Sequence, residues 1–266
     1  MHEWGTIPIA TLFESMTSLL IATRVHSSEG QVSESVLESL QHLLTRCSGY
    51  NVAVAVDTEE LRDRILSFIR AEVTVLVVRP WGSFSFPLNA LVREASSQKL
   101  SRICFMSVEM EASPMVLGAL LQETENNTTL VAGASLSGHK FKKGIQKLDG
   151  LTSPWNTLAI WNVGALSLVG FPLVAEGDCN GEGGGVEEVS TIALMQHLLS
   201  PQKAIAKLIR FDGTAMSWQT VFNSDPKRLE WHHKKMNTKL ERAEIQLEKI
   251  GLQGVVHHLD FESRNV

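Results

Sequence analysis

The sequence is short of cysteine, and its three cysteines, Cys47, Cys104 and Cys179, are far apart and form no CxxC pair. An odd number of isolated cysteines does not make a disulfide framework. We therefore expect buried thiols in a reducing compartment, which favours a cytoplasmic location. No apolar stretch reaches the ~18 residues that a bilayer-spanning helix needs, so we predict no integral membrane segment.

Several familiar functional motifs are also missing. There is no GxGxxG after a strand, no Walker A sequence, no GxSxG and no HExxH, which argues against dehydrogenases, NTPases, hydrolases and zinc proteases. The formal net charge is -5 and the sequence has no basic stripe, which argues against extended nucleic-acid binding. What remains is a chain of 266 residues with 44% hydrophobic content, which is ordinary for a globular protein.

Apolar runs and amphipathic stretches alternate along the first part of the chain. Strand patterns occupy residues 18–25, 51–57, 73–79 and 101–108, and helical patterns occupy residues 33–47, 59–70 and 88–98. This alternation predicts an α/β fold with a mostly parallel sheet flanked by helices. In such sheets ligands bind beyond the carboxyl ends of the strands.

The later part of the chain is less regular. A helix is expected from Ser113, with Pro114 in its first turn, and another over VEEVSTIALMQHLLS after the glycine-rich DCNGEGGG. Residues 137–153 are polar and predicted to be irregular. From residue 226 the sequence is charged with one apolar stripe, which predicts a long amphipathic helix ending near Gly251. We therefore divide the chain into a domain over residues 1–225 and a C-terminal helical segment over residues 226–266 packed on it.

The order of these segments resembles a known family. The matching segments are LLIATR, VAVAVD, PLNALVREAS, ICFMSVEMEASPMVLGALL, PWNTLAIWNVGALSLVGF and GGGVEEVSTIAL. Together they resemble GT-A fold glycosyltransferases of the family 2 type, which use nucleotide-diphospho-sugar donors. The resemblance implies a metal-assisted, inverting transferase of the hexosyltransferase class. The sequence departs from the family at Ala22, where a proline is usual, and at Ser107, where the D-x-D motif has its first aspartate.

The resemblance assigns a nucleotide-diphosphate site to the strand ends. Its nucleotide contacts would be Thr23, Arg24, Asp57, Asn89 and Ser107. Asp57 also fits the N-cap of the helix that follows it, and the sequence leaves both roles open.

A divalent cation, Mg or Mn, would be held by the SVEME segment. Glu109 would supply one carboxylate, and Glu111 would point the same way if the segment were extended. The alternative is a polar strand end that holds no ligand.

The remaining candidates concern the acceptor. Glu188, or Glu187, would be the general base that deprotonates an acceptor hydroxyl, and the alternative is a pair of solvated acids in the first turn of a helix. Trp155 could stack on the acceptor sugar or belong to the core. The pair His232 and His233 could add a metal ligand or lie on a solvated helix face.

Three functions follow from these observations. The first is a glycosyltransferase that takes a nucleotide-sugar donor and an unknown acceptor. The second is a non-catalytic relative that acts as a binding or scaffold module, which the departures from the family motifs favour. The third is a nucleotidyltransferase, which would normally carry a glycine-rich basic loop after its first strand; HSSEGQ has one glycine and no lysine or arginine.

Overall fold

The computed structural model describes residues 18–27, 32–69, 71–82, 84–177, 186–212, 215–218, 230, 234 and 236–261. Its strands are β1 (Leu19–Val25), β2 (Asn51–Val56), β3 (Thr74–Val77), β4 (Arg102–Met106), β5 (Met110–Ala112), β6 (Thr129–Ala134), β7 (Gly144–Lys147), β8 (Leu158–Asn162), β9 (Ile205–Arg210), β10 (Met216–Trp218) and β11 (Val255–Asp260). Its α-helices are α1 (Glu34–Arg46), α2 (Glu59–Phe68), α3 (Ser85–Ser97), α4 (Pro114–Glu123), α5 (Val163–Leu166), α6 (Glu187–Leu199) and α7 (Lys239–Ile250), and a 3-10 turn spans Leu173–Glu176.

The main sheet of the described chain has nine strands in the order β3-β2-β1-β4-β8-β6-β9-β11-β7. The pairs among β3, β2, β1 and β4 are parallel, as are β6 with β9 and β9 with β11. Strand β8 is antiparallel to both of its neighbours, and β7 is antiparallel to β11. The mostly parallel α/β class that the sequence predicts is therefore confirmed.

Helices cover both faces of this sheet. Alternate residues of β1 point to opposite sides: Leu19 and Ile21 join one core layer, and Leu20 and Ala22 join the other. Helices α1, α2 and α4 pack in the first layer, whereas α3, α5, α6 and α7 pack in the second. Because both faces are buried, the central strands are continuous apolar runs.

Several local predictions are confirmed. Ser33, at the start of the helical pattern over residues 33–47, is the N-cap of α1. Ser113, where the sequence predicts a helix start, is the N-cap of α4, and its side chain accepts a hydrogen bond from the Val116 N–H. Helix α7 ends at Gly251, whose φ of 65° is the left-handed conformation that favours glycine. Cys47 and Cys104 are buried free thiols, and burial raises the pKa of Cys47 to about 11. Cys179 lies outside the described residues.

Several strands were not predicted from the sequence, among them three of the main sheet. Part of the segment predicted to be irregular forms β7, and β9 follows α6 without having been predicted. The C-terminal segment is not only helical, because β11 lies within the sheet between β9 and β7. Strand β11 is hard to recognise because its middle carries His257 and His258, and His258 is nevertheless fully buried. Among the described residues, no helix is long and apolar enough to cross a membrane.

Candidate active site

A cavity of about 210 Å³ lies beyond the carboxyl ends of β1 and β4, where the α/β pattern predicts a ligand site. We call it the strand-end cavity. It is lined by Ala22, Thr23, Arg24, Leu88, Phe105, Met106, Ser107, Trp155, Asn156, Thr157, Val186, Glu187, Glu188, Trp218, Met236, Lys239 and Arg242. Six of the residues proposed from the sequence are therefore brought together here. They are Thr23, Arg24, Ser107, Trp155, Glu187 and Glu188.

Glu188 is a buried carboxyl group at the edge of this cavity. It lies in the first turn of α6 and is 3% exposed. Its Oε1 accepts a hydrogen bond of 2.6 Å from the Asn156 N–H, whereas its Oε2 has no hydrogen-bond partner among the described residues. Burial raises the pKa of Glu188, and the neighbouring charge of Glu187 raises it further. Glu188 is thus not a solvated acid, as the alternative from the sequence proposed.

Asn156 supplies a second buried polar atom without a partner in the described chain. Its Oδ1 accepts a hydrogen bond of 2.8 Å from the Trp161 Nε1–H, which fixes the orientation of the amide. Its Nδ2 is then left as a buried donor. Glu188 and Asn156 both line the strand-end cavity, and each carries one buried polar atom without a partner among the described residues. Buried groups of this kind are costly unless something pairs with them.

Glu187 forms an ion pair with Arg24. The Arg24 Nη2 lies 3.5 Å from the Glu187 Oε1, and the guanidinium lies over the Phe84 ring at 5.4 Å from its centroid. The Arg24 side chain is 25% exposed and the Glu187 side chain is 8% exposed, so the pair lies in the wall of the cavity. This ion pair links the end of β1, which carries Arg24, to the start of α6, which carries Glu187.

Trp155 lines the cavity, but its ring faces are not available for stacking on a sugar. The His139 ring stacks on it with the ring centroids 3.7 Å apart, and the Lys239 Nζ lies 3.8 Å from a Trp155 ring centroid. Two groups at these distances must occupy opposite faces, because on one face they would overlap. Trp155 is only 1% exposed, and its Nε1 donates to the Gly150 carbonyl oxygen. The geometry therefore favours the core role, with Trp155 positioning Lys239.

Asp57 directly follows β2 and does not line the cavity. It is not the N-cap of α2: that position is Thr58, whose Oγ1 accepts from the Leu61 N–H at 3.1 Å. The Asp57 Oδ2 instead accepts hydrogen bonds from the backbone and the hydroxyl group of Ser27, at 3.0 and 2.6 Å. Its Oδ1 is buried and has no partner among the described residues. The capping alternative is therefore wrong, and a nucleotide contact stays a prediction.

Asn89 has a structural role, because both ends of its side-chain amide are hydrogen-bonded to the backbone of Phe171. Its Nδ2 donates to the Phe171 carbonyl oxygen at 2.9 Å, and its Oδ1 accepts from the Phe171 N–H at 2.7 Å. Gly170, with a φ of 64°, lies against this amide, and a Cβ there would come within 2.6 Å of the Asn89 Oδ1. Asn89 thus holds the turn before Phe171 and does not line the cavity.

The predicted metal ligands are not placed as an extended strand would place them. A turn closed by the Met110 N–H and the Ser107 carbonyl oxygen, 3.0 Å apart, reverses the chain between β4 and β5. Glu109 lies in this turn, and Glu111 lies on β5, where its Oε1 is 3.0 Å from the Arg46 Nη1. Neither carboxylate lines the cavity. The extended conformation under which both carboxylates would point the same way is not present, because Glu109 lies in a turn, and a metal site here stays a prediction.

Among the charged and amide side chains of the described lining, three were not proposed from the sequence: Asn156, Lys239 and Arg242. Asn156 is the residue after Trp155, so the sequence located its segment but not the residue that faces the ligand site. The two cations belong to α7, and nothing in the sequence shows that this helix returns to the strand ends. The histidines proposed at positions 232 and 233 and the glycine-rich loop before α6 lie outside the described residues.

No protein-family model and no curated protein sequence matches this chain. Among solved structures, the chain is similar to the 4-diphosphocytidyl-2C-methyl-D-erythritol synthase of Anaerococcus prevotii, with 9% identity, 84% of this chain and 98% of that chain covered, and a TM-score of 0.50. Glucosyl-3-phosphoglycerate synthase of Mycobacterium tuberculosis is also similar. Its complex with phosphoglyceric acid has 13% identity, coverages of 94% and 86% and a TM-score of 0.49. Its complex with Mn²⁺ and UDP-glucose has 14% identity, coverages of 92% and 85% and a TM-score of 0.49. The chain thus has the GT-A, nucleotide-diphospho-sugar transferase-like fold that the sequence predicts.

Proposed function

We propose that this protein transfers a sugar from a nucleotide-sugar donor to an acceptor hydroxyl group, with Glu188 as the general base. The observation that carries the proposal is that the Glu188 Oε2 and the Asn156 Nδ2, which belong to two residues lining the strand-end cavity, have no hydrogen-bond partner among the described residues. A hydroxyl group matches both atoms chemically, because it donates to a carboxylate and accepts from an amide. The fold resemblance supplies the donor class, and these two atoms supply the reason to expect a hydroxyl acceptor.

The proposed chemical step is a direct displacement. The acceptor oxygen forms a bond to the anomeric carbon as its proton passes to the Glu188 carboxylate, and the bond from that carbon to the donor phosphate breaks. The nucleoside diphosphate leaves with the electron pair of that bond. A raised pKa suits this role because a stronger base takes the proton more readily, provided that Glu188 is ionised when the donor binds.

The metal implied by the resemblance does not fit the described residues. The carboxylates lining the strand-end cavity are Glu187 and Glu188, and both have the protein contacts described above. Glu111 pairs with Arg46, and the described residues contain no cluster of three or more metal-ligating side chains. We therefore derive no step that depends on Mg or Mn.

The test is a comparison of Glu188→Gln with wild type. Donors are first selected by calorimetric titration with UDP- and GDP-sugars, and release of nucleoside diphosphate is then measured with water and glycerol as acceptors. We expect Glu188→Gln to bind the selected donor within a few-fold of wild type but to release product about 10²- to 10⁴-fold more slowly. Glu60→Gln, an exposed first-turn acid of α2, is the matched control and should behave as wild type.

Equal rates in wild type and Glu188→Gln would contradict the assignment of the base. Donor binding without release of nucleoside diphosphate in wild type would favour the second candidate, a non-catalytic binding module. The observation in favour of that candidate is Ser107, which lines the cavity where the family has a carboxylate.

A further inference from the structure

The starts of α6 and α7 bring opposite charges to the strand-end cavity. Helix α6 contributes Glu187 and Glu188 to its lining, and α7 contributes Lys239 and Arg242. All four residues are at most 9% exposed, and the two helices pack in one core layer. Because charged groups are seldom buried without opposite charges nearby, the acids of α6 and the cations of α7 form one charged cluster.

Glu188 and Lys239 are held by two consecutive residues. The Asn156 N–H donates to the Glu188 Oε1 at 2.6 Å, and the Lys239 Nζ lies 3.8 Å from a Trp155 ring centroid. The Trp155 ring is itself fixed, because its Nε1 donates to the Gly150 carbonyl oxygen at 2.8 Å. One short segment therefore locates both the carboxylate and the ammonium group.

The backbones that carry these two side chains are also fixed relative to each other. A Cβ at Gly150 would overlap the Lys239 carbonyl group, so only glycine permits this approach to the start of α7. Further along the same helix, the Gln246 Oε1 accepts from the Val186 N–H at 3.0 Å. Val186 is the N-cap residue of α6 and directly precedes Glu187, so α7 is hydrogen-bonded to the start of α6.

The groups around Glu188 act on it in opposite directions. Burial raises the pKa of Glu188, and the charge of Glu187 raises it further. The charge of Lys239 and the hydrogen bond from the Asn156 N–H lower the same pKa. Glu187 has a cation on another element, because the Arg24 Nη2 at the end of β1 lies 3.5 Å from its Oε1.

The other titratable groups near this cluster do not replace Lys239. Burial lowers the pKa of Arg242, and the charges of Glu187 and Glu188 both raise it, so Arg242 is divided between the two acids. Burial lowers the pKa of His139, which stacks on Trp155, to about 3, and its ring is neutral. Among the described residues, Lys239 is thus the cation whose charge counters the burial of Glu188.

We propose that Lys239 is a positioning residue for the general base, and that its ammonium group, held on Trp155, keeps the Glu188 carboxylate ionised. This inference rests on the proposed function and names the residue that makes the base usable. A buried carboxyl group tends to keep its proton, and a protonated carboxyl group cannot accept one from the acceptor. A fixed positive charge beside it favours the carboxylate without exposing it to water.

The effect of Lys239 is greatest when the donor is bound. In the proposed reaction the diphosphate of the donor adds negative charge near Glu188, and nearby negative charge favours the protonated carboxyl group. The ammonium group of Lys239 opposes this change at the stage when the carboxylate has to accept the proton of the acceptor hydroxyl group. After transfer Glu188 holds that proton, and its release to solvent restores the carboxylate beside Lys239.

The first test is a pH titration of Glu188 that needs no substrate. The protein is labelled with ¹³C at the glutamate carboxyl groups, and the Glu188 resonance is identified by its absence from Glu188→Gln. In Lys239→Met we expect its titration midpoint to move to higher pH by about one pH unit or more, because an opposite charge is lost. Lys239→Arg, which keeps the charge, should stay close to wild type. Lys249→Met, which removes an exposed lysine from the same helix, should leave the midpoint unchanged.

The second test is the pH dependence of nucleoside diphosphate release with the selected donor. In wild type the rate should rise with pH as Glu188 ionises, and in Lys239→Met this rise should move to higher pH by the same amount as the NMR midpoint. Below both midpoints the rate of Lys239→Met should fall about tenfold for each pH unit of that shift. A purely structural role of Lys239 would lower the rate by one factor at every pH.

A double variant keeps the inference testable if Lys239→Met does not fold. Lys239→Met leaves a buried carboxylate without its cation, which is costly. Glu188→Gln/Lys239→Met no longer buries that charge, so it should fold, and thermal melts should show that Lys239→Met destabilises wild type more than it destabilises Glu188→Gln. Equal destabilisation in the two backgrounds, or failure of the double variant to fold, would show a packing role and overturn the inference.

The remaining outcomes separate this inference from the proposed function. An unchanged Glu188 midpoint in Lys239→Met, with slow release in Glu188→Gln, would overturn the inference and leave the proposed function standing. A shifted midpoint, with equal release rates in wild type and Glu188→Gln, would support the effect of Lys239 on Glu188 and contradict the proposed function. An unchanged midpoint together with equal rates would overturn both.

Discussion

His139 illustrates at the residue scale how this fold uses a titratable group for structure. Its Nδ1 accepts from the Leu136 N–H at 2.9 Å, so Nε2 carries the hydrogen that is donated to the Ser153 carbonyl oxygen at 3.0 Å. Burial, together with the nearby charge of Lys239, lowers the pKa of His139 to about 3. The ring is therefore neutral at ordinary pH and supports Trp155 without repelling Lys239.

This burial predicts an acid-sensitive contribution to stability. The unfolded chain has a histidine pKa near 6.5, so it binds more protons than the folded chain between pH 6.5 and 3. The contribution of His139 is therefore complete above pH 6.5 and is lost as the pH falls towards 3. Urea unfolding between pH 7.0 and 5.5 should show a fall in the free energy of unfolding about 1 kcal/mol larger for wild type than for His139→Gln.

The exposed His197 provides the control. His197→Gln removes an exposed imidazole from the surface of α6 and should keep the pH dependence of wild type. If wild type and His139→Gln lost stability equally over this range, His139 would have to titrate normally in the folded protein.

At the scale of single elements, the start of α2 separates two roles that the sequence could not separate. Asp57 and Thr58 are both good N-cap residues, and both precede the acidic first turn of the helix. In the structure Thr58 is the N-cap, because its side chain accepts a hydrogen bond from the Leu61 N–H. Asp57 instead accepts a hydrogen bond from Ser27, which joins the segments that follow β1 and β2. Substitution of Thr58 should therefore affect stability, whereas substitution of Asp57 should affect ligand binding.

We predict that Thr58→Ala lowers stability and that Asp57→Asn weakens nucleotide binding. Thr58→Ala removes a cap and should lower the free energy of unfolding by about 1 kcal/mol, with nucleotide affinity unchanged. Asp57→Asn keeps the shape of the side chain and should weaken nucleotide binding in calorimetric titration. A loss of nucleotide affinity in Thr58→Ala, with none in Asp57→Asn, would show that Asp57 has no part in the site.

Helices and strands with one clear hydrophobic pattern could be predicted from the sequence. Elements whose buried positions carry polar residues, or whose chain direction changes, could not. The helical period of α1 and the apolar run of β4 both led to the observed elements. Strand β11 was missed because buried histidines look like polar surface in a sequence. The Ser107–Met110 turn was missed because local pattern does not show whether a strand continues or reverses, and this error misplaced Glu111.

At the scale of the whole molecule, the C-terminal segment is part of the central structure. Strand β11 is paired on both sides, by β9 and by β7, and Val256 is fully buried in the same core layer as α6 and α7. Helix α7 packs on α6 in this layer and also lines the cavity. The boundary predicted at residues 225 and 226 separates parts that share one sheet and one core.

We therefore predict a single unfolding transition for the chain. Urea curves from tryptophan fluorescence and far-UV circular dichroism should coincide. Val256→Ala should lower the free energy of unfolding by about 2 kcal/mol and keep the two curves coincident. Val255→Ala, at a half-buried position of the same strand, should have a smaller effect. Two separated transitions would instead indicate a C-terminal segment that unfolds by itself.

The composition of the site shows what sequence reasoning can reach. Thr23, Arg24 and Ser107 could be predicted because the carboxyl ends of parallel strands lie at one edge of the sheet, and Glu187 and Glu188 were predicted from the resemblance to GT-A glycosyltransferases. Lys239 and Arg242 could not, because their positions depend on how a distant helix packs, and that depends on contacts such as Gly150 against Lys239. The meeting of strand ends can be inferred from the order of strands and helices. The packing of α7 against the cavity depends on the complete fold.

The position of β11 also affects how the protein is made. In the described chain β7 is hydrogen-bonded only to β11, and β11 also pairs with one edge of β9. The hydrogen bonds of β7, and those of one side of β9, therefore cannot form until residues 255–260 have been synthesised. Until then the nascent chain carries open strand edges, the surface through which unfinished sheets pair with one another. The period of greatest aggregation risk therefore falls on the ribosome, before β11 has left the exit tunnel.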